Sequence, residues 1–90
     1  MHTYNMTVAT PHGLHMRPAA EIVDLVKRHG AKVKVRLFGN GNRQADGGSI
    51  LALLSLGIEQ GHRIRVEVDG ADEAQVAARL SEIFSAGGGI

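Results

Sequence analysis

Gly13-Leu14-His15-Met16-Arg17-Pro18-Ala19-Ala20 is the stretch where one periodicity stops and another begins. Upstream of it, residues 3 to 8 alternate. Tyr4, Met6 and Val8 share one side, and Thr3, Asn5 and Thr7 share the other, as in a half-buried strand. Thr10-Pro11-His12-Gly13 then interrupts the pattern with turn formers. Downstream, Ala19, Ile22, Val23 and Val26 recur at i, i+3, i+4 and i+7, the stripe of an amphipathic helix. Glu21, Asp24, Lys27 and Arg28 face away from it, and Asp24 can meet Arg28 one turn on. Gly30 is placed to end the helix in a left-handed conformation. The spacing predicts a helix that starts at Pro18.

Further along, residues 32 to 37 alternate again, with Val33, Val35 and Leu37 inward and Lys32, Lys34 and Arg36 outward. Gly39-Asn40-Gly41-Asn42 reads as a hairpin turn, because Asn-Gly tolerates positive φ. The return strand, about Arg43 to Asp46, is short and polar and suits a sheet edge. Ser49 is a good N-cap for a short helix whose inner face is Ile50, Leu53 and Leu54. Leu51 falls off that face, with Leu54 as the alternative second residue off it, which leaves apolar area exposed, and Gly57 closes the helix. Residues 63 to 68 form another alternating strand, with Ile64, Val66 and Val68 inward. After Asp69-Gly70, Asp72 and Glu73 suit the first turn of a last helix, where the helix dipole favours acids. Val76, Ala77, Leu80, Ile83 and Phe84 give that helix its buried stripe, and residues 86–90 are expected to form a flexible tail. The order β-α-β-β-α-β-α, with every strand wet on one face, predicts a two-layer α+β fold whose helices all cover the other face.

Ninety residues are expected to make a single domain. A net charge of +1 and only three aromatic residues argue against a nucleic-acid-binding surface. No cysteine is present to form disulfides or a thiolate metal site. No apolar run approaches the roughly 20 residues of a membrane span, and residues 1 to 5 lack a signal-peptide pattern, so a cytoplasmic protein without membrane insertion is expected.

The junction itself points to an anion. A helix start leaves about four backbone N–H groups unpaired and carries roughly half a positive charge, which suits phosphate. His15, Met16 and Arg17 are poor capping residues, so those donors stay available. Pro18 is tolerated in the first turn. An imidazole at such a place can act as an acid, a base or, when neutral, a nucleophile. A phosphoryl group on it would face the helix start and Arg17, whose guanidinium matches phosphate oxygens. Gly13 would let the backbone come close. On chemistry alone, a solvated surface histidine is the commoner alternative.

The same eight residues resemble the active-site signature of the HPr family, the histidine phosphocarriers of the bacterial phosphotransferase system. Two further stretches are similar to the family's motifs: Ser49-Ile50-Leu51-Ala52-Leu53-Leu54-Ser55-Leu56-Gly57 and Asp69-Gly70-Ala71-Asp72-Glu73. The resemblance covers roughly residues 3 to 85. It implies an open-faced β-sandwich, four antiparallel strands covered on one face by three helices. It also implies that His15 accepts a phosphoryl group on Nδ1 from phosphorylated enzyme I and passes it to a IIA domain of a sugar permease. Arg17 would steady the group, with Met16 and Pro18 in the same helix start. Ile50, Leu51 and Leu54, with Met16, would form an apolar docking surface. Ser49 matches a serine that an HPr kinase/phosphorylase modifies in some bacteria, although it is equally a structural cap. Met16 and Gly48 depart from the family's common residues. The segment between His15 and Ser49 is a few residues longer than usual, which places the insertion at the Gly39–Asn42 turn.

Other constellations are weaker. His12 and His15 lie three apart on a turn without a nearby carboxylate, and His2, His29 and His62 are scattered, so no metal is expected. The Lys32/Lys34/Arg36 and Arg63/Arg65 rows read most simply as a solvated sheet face, with attraction of an acidic partner as the runner-up role. The leading expectation is a monomeric, stoichiometric phosphoryl carrier without a cofactor, rather than an independent turnover enzyme. The alternatives are a regulatory docking module that relays no phosphate, and a carrier serving nitrogen-related or dihydroxyacetone phosphorylation.

Overall fold

The structure is a computed structural model that describes residues 1–10, 13–39 and 43–86. The elements run β1 (His2–Thr7), α1 (Met16–His29), β2 (Lys32–Leu37), β3 (Gln44–Asp46), α2 (Ile50–Ser55), β4 (Arg63–Asp69) and α3 (Glu73–Ala86). The strands form one four-stranded sheet in the order β1-β4-β2-β3, and every neighbouring pair is antiparallel. The short polar strand β3 is at the edge, as its composition predicts.

Alternation sets the layers. Val33, Val35, Leu37, Ala45, Ile64, Val66 and Val68 are buried on the face that meets the helices. α1 packs on α2 and α3, and α3 also packs on β1 and β4. Val76, Ala77, Leu80, Ile83 and Phe84 are all buried, as their spacing predicts. In α1 the buried set is Pro18, Ala19, Ile22, Leu25 and Val26. Val23 is only half-buried and Leu25 takes the inner place, so the stripe is rotated slightly from the expected one. The Tyr4 hydroxyl donates to the Ala77 carbonyl (3.2 Å) and ties the outer strand to α3; burial pushes its pKa up to about 12.

Several boundaries differ from the sequence expectations. α1 begins at Met16, not Pro18, because proline fits a later place in the first turn as long as no N–H is required of it. Gly30 does terminate this helix in the left-handed region, at φ 61°. β1 spans residues 2 to 7 and leaves Val8 as a buried residue beyond the strand. β3 begins at Gln44 rather than Arg43. Asp72 precedes α3, and its carbonyl accepts the Val76 amide at 2.9 Å, the role of a cap residue. Ala86 is the last residue of α3 rather than part of a tail, while residues 87–90 lie outside the described residues. The Asn40-Gly41-Asn42 part of the expected hairpin turn lies outside them too.

Candidate functional site

The loop from β1 to α1 is held by distant backbone. Ala9 N and Thr10 N both donate to the Phe84 carbonyl at 3.1 Å. Thr10 is buried, and its hydroxyl donates to the same carbonyl at 2.6 Å and to that of Ile83 at 3.2 Å. The end of α3 is thereby clamped to the segment that leads to His15. On the other side, Leu14 N donates to the Ile58 carbonyl at 2.9 Å, and the Leu14 side chain is buried.

Gly13 sits between these anchors at φ 69°. A Cβ there would collide with the Ile58 carbonyl oxygen and come within 2.6 Å of Glu59 Cα. The close approach expected at Gly13 is therefore an approach to the Ile58–Glu59 backbone inside the fold. Sequence reading placed Thr10 only among turn formers and gave Ile58 no part. Nothing local in the sequence marks a contact to residues more than forty positions away.

His15 is the N-cap residue of α1, with extended backbone at φ −104° and ψ −172°. Its side chain makes no capping hydrogen bond, and no acidic residue stands in the first turn. The His15 carbonyl accepts the Ala19 amide at 3.1 Å. Pro18 has no N–H, and the amides of Met16 and Arg17 have no hydrogen-bond partner among the described residues. Three features coincide here: an imidazole that leaves its own helix uncapped, two unpaired amides, and the positive end of a 14-residue helix dipole. Arg17 is exposed in the first turn, and its guanidinium has no partner among the described residues. Pro18 is buried against the core. The arrangement can hold a tetrahedral anion next to a nucleophilic ring nitrogen.

The other candidates divide. Met16 and Leu51 are two of the large apolar side chains left exposed, at 61% and 76%. Ile50 and Leu54 are half-buried and pack against the core. Ser49 caps α2, its hydroxyl accepting the Ala52 amide at 3.3 Å. His12 lies outside the described residues. An open groove of about 730 Å³ lies toward the other end of the sheet, near Val26, Lys32 and Asp69, and takes no part in this arrangement.

The likenesses to known proteins bear on the same residues. A family model described as the PTS HPr component phosphorylation site matches residues 3–86. The multiphosphoryl transfer protein of Escherichia coli O157:H7 is 32% identical over 80 residues, which are 89% of this chain and 21% of that protein. The chain thus spans about a fifth of the length of such relatives. The phosphocarrier protein NPr of Proteus mirabilis strain HI4320 is 36% identical over 75 residues, 83% of this chain and 81% of that one. Among solved structures, phosphocarrier protein HPr from Bacillus anthracis strain Ames matches with a TM-score of 0.79 at 26% identity, covering 91% of this chain and 94% of that one. The family match spans both His15 and the capped start of α2, and the strand and helix order is that of the solved phosphocarrier. With fold, motif and matched length in agreement, the chain belongs to the HPr family of phosphocarriers of the phosphotransferase system.

Proposed function

We propose that this chain carries a phosphoryl group on His15, taking it from phosphorylated enzyme I and giving it to IIA domains of the sugar phosphotransferase system. The observation that carries this reading is the imidazole standing at an α-helix start that it does not cap. In the forward step the lone pair of His15 Nδ1 forms a bond to phosphorus while the bond from phosphorus to the donor breaks. The phosphoryl oxygens then lie near the Met16 and Arg17 amides, and the Arg17 guanidinium swings over them. The second transfer is the same exchange in reverse, with His15 as the leaving group. The exposed Met16 and Leu51, beside Ile50 and Leu54, supply the apolar surface on which both partners dock.

Incubation with enzyme I and labelled phosphoenolpyruvate tests the reading. Acid-labile label on the protein is expected, and none on His15→Ala. Label that survives the substitution, or no label from an active donor, would overturn it and leave the docking-module alternative. Pairing the charged carrier with IIA domains of sugar, nitrogen-related and dihydroxyacetone systems in turn identifies the pathway. Ser49 is the proposed regulatory acceptor for an HPr kinase/phosphorylase. Modification there would replace the capping hydroxyl with a dianionic group at the start of α2, and acid-stable label from ATP, absent in Ser49→Ala, is its signature.

A further inference from the structure

The face of the sheet turned away from the helices is polarised. Its side chains form rows across the strand order. One row reads Thr3, Glu67, Lys34, Asp46, and the row beyond it pairs Asp69 with Lys32, so cations stand opposite carboxylates. Toward the other end the rows read Asn5, Arg65, Arg36, Gln44 and then Thr7, Arg63. Here Arg36 lies directly across from Arg65, a like-charge pairing that destabilises a sheet. No carboxylate stands in either of these two rows.

The guanidinium groups there are under-used. The Nε atoms of Arg36 and Arg65 are buried and have no hydrogen-bond partner among the described residues. The other contacts are long and neutral: Arg36 to the Gln44 amide oxygen at 3.4 Å and Arg63 to the Thr7 hydroxyl at 3.5 Å. A buried donor without a partner is costly, and three cations with no ion-pair partner among the described residues add to that cost. The cluster is also placed. β1 ends at this side of the sheet and leads into the His15 loop, while α1 runs back toward Lys32.

We infer that Arg36, Arg63 and Arg65 form a second docking surface, on the open face of the sheet, for an acidic segment of a protein partner. Carboxylates match the guanidinium fork and would supply the counter-charge that these rows lack. Phe38, whose amide donates to the Arg63 carbonyl at 3.1 Å, is the one aromatic and apolar residue in these rows among the described residues; a single ring makes neither a stacking platform for bases nor an apolar face for a bilayer, which favours a protein segment over nucleic acid or lipid. The helix layer and the open sheet face are opposite sides of the molecule. A partner engaged at His15 and an acidic partner on the arginines can therefore bind together. The inference stands apart from the phosphoryl-carrier reading, since it uses neither His15 nor Arg17.

A capped octaglutamate peptide titrated into ¹⁵N-labelled protein tests it by NMR. Shifts are expected at the Arg36, Arg63 and Arg65 amides and Nε signals, weakening as salt is raised. R36Q/R65Q should weaken binding by about tenfold or more without lowering the unfolding midpoint, because the opposed arginines do not support the sheet. K32Q/K34Q should bind as the parent does, and so should H15A, whether or not that variant accepts phosphate. Unchanged affinity in R36Q/R65Q, or shifts centred on Arg17, would overturn the proposal. Equal binding of a single-stranded oligonucleotide or of phosphatidylserine vesicles through the same arginines would overturn the choice of partner.

Discussion

Helix α1 starts at His15 with no side chain among the described residues on its first amides, whereas α2 starts at Ser49 with a hydroxyl that accepts the Ala52 amide. The short helix is made self-sufficient by one local contact. The long one leaves its start open, and its position is set from far away by the Phe84 carbonyl, which receives three donors, and by the Ile58 carbonyl. On the proposed reading, the difference separates a structural helix terminus from a working one. A cap side chain at α1 would occupy the place that an incoming anion needs. Remote anchors can fix His15 without touching the donors it must leave open.

Substitutions can break that contrast. The largest effect is expected on transfer: His15→Ala should abolish phosphoryl acceptance, read as acid-labile label, while the fold persists by circular dichroism. Next is Gly13→Ala, which must place a Cβ against the Ile58 carbonyl at φ 69°. It should lower stability by about 3 kcal/mol in denaturant titration. Thr10→Val removes the hydroxyl that clamps α3 and keeps the shape. A loss of about 1–2 kcal/mol is expected, and fraying of the α3 end by hydrogen exchange would show that the clamp links the helix to the site. Ser49→Ala should cost about 1 kcal/mol, the ordinary value of an N-cap, with phosphoryl acceptance at His15 unchanged. The smallest effect has the opposite sign. His15→Asp supplies the cap that α1 lacks and should raise stability by about 0.5–1 kcal/mol while carrying no phosphohistidine. A stability loss in that variant would mean that the imidazole supports the helix start after all.

Local pattern carried most of the fold. Lys32–Leu37 was legible to the residue, because strict alternation leaves one register that buries Val33, Val35 and Leu37. The stripe of α3 and the left-handed end of α1 at Gly30 were legible for similar reasons. The start of α1 was not. Pro18 is compatible with more than one position in a first turn, so the chain's direction on leaving Leu14 decides the matter, and the Ile58 carbonyl sets that direction. The rotation that buries Leu25 in place of Val23 belongs to the packing of α1 on α2 and α3.

The site divides in the same way. His15 and Arg17 stand out in sequence because they occupy a helix start without being caps, and their family motif is contiguous. The anchors Thr10, Ile58 and Phe84 do not stand out, since each looks ordinary among its neighbours. The opposition of Arg36 and Arg65 is equally invisible until β2 and β4 are paired. Sequence alone determined the alternation, the helical stripes and the uncapped junction, because these depend on residues within a turn or two of one another. Tertiary structure alone decided where the His15 loop is fastened and which charges share a row. Those follow from hydrogen bonds and strand pairings between residues tens of positions apart, and the register of the whole sheet had to form before they could exist.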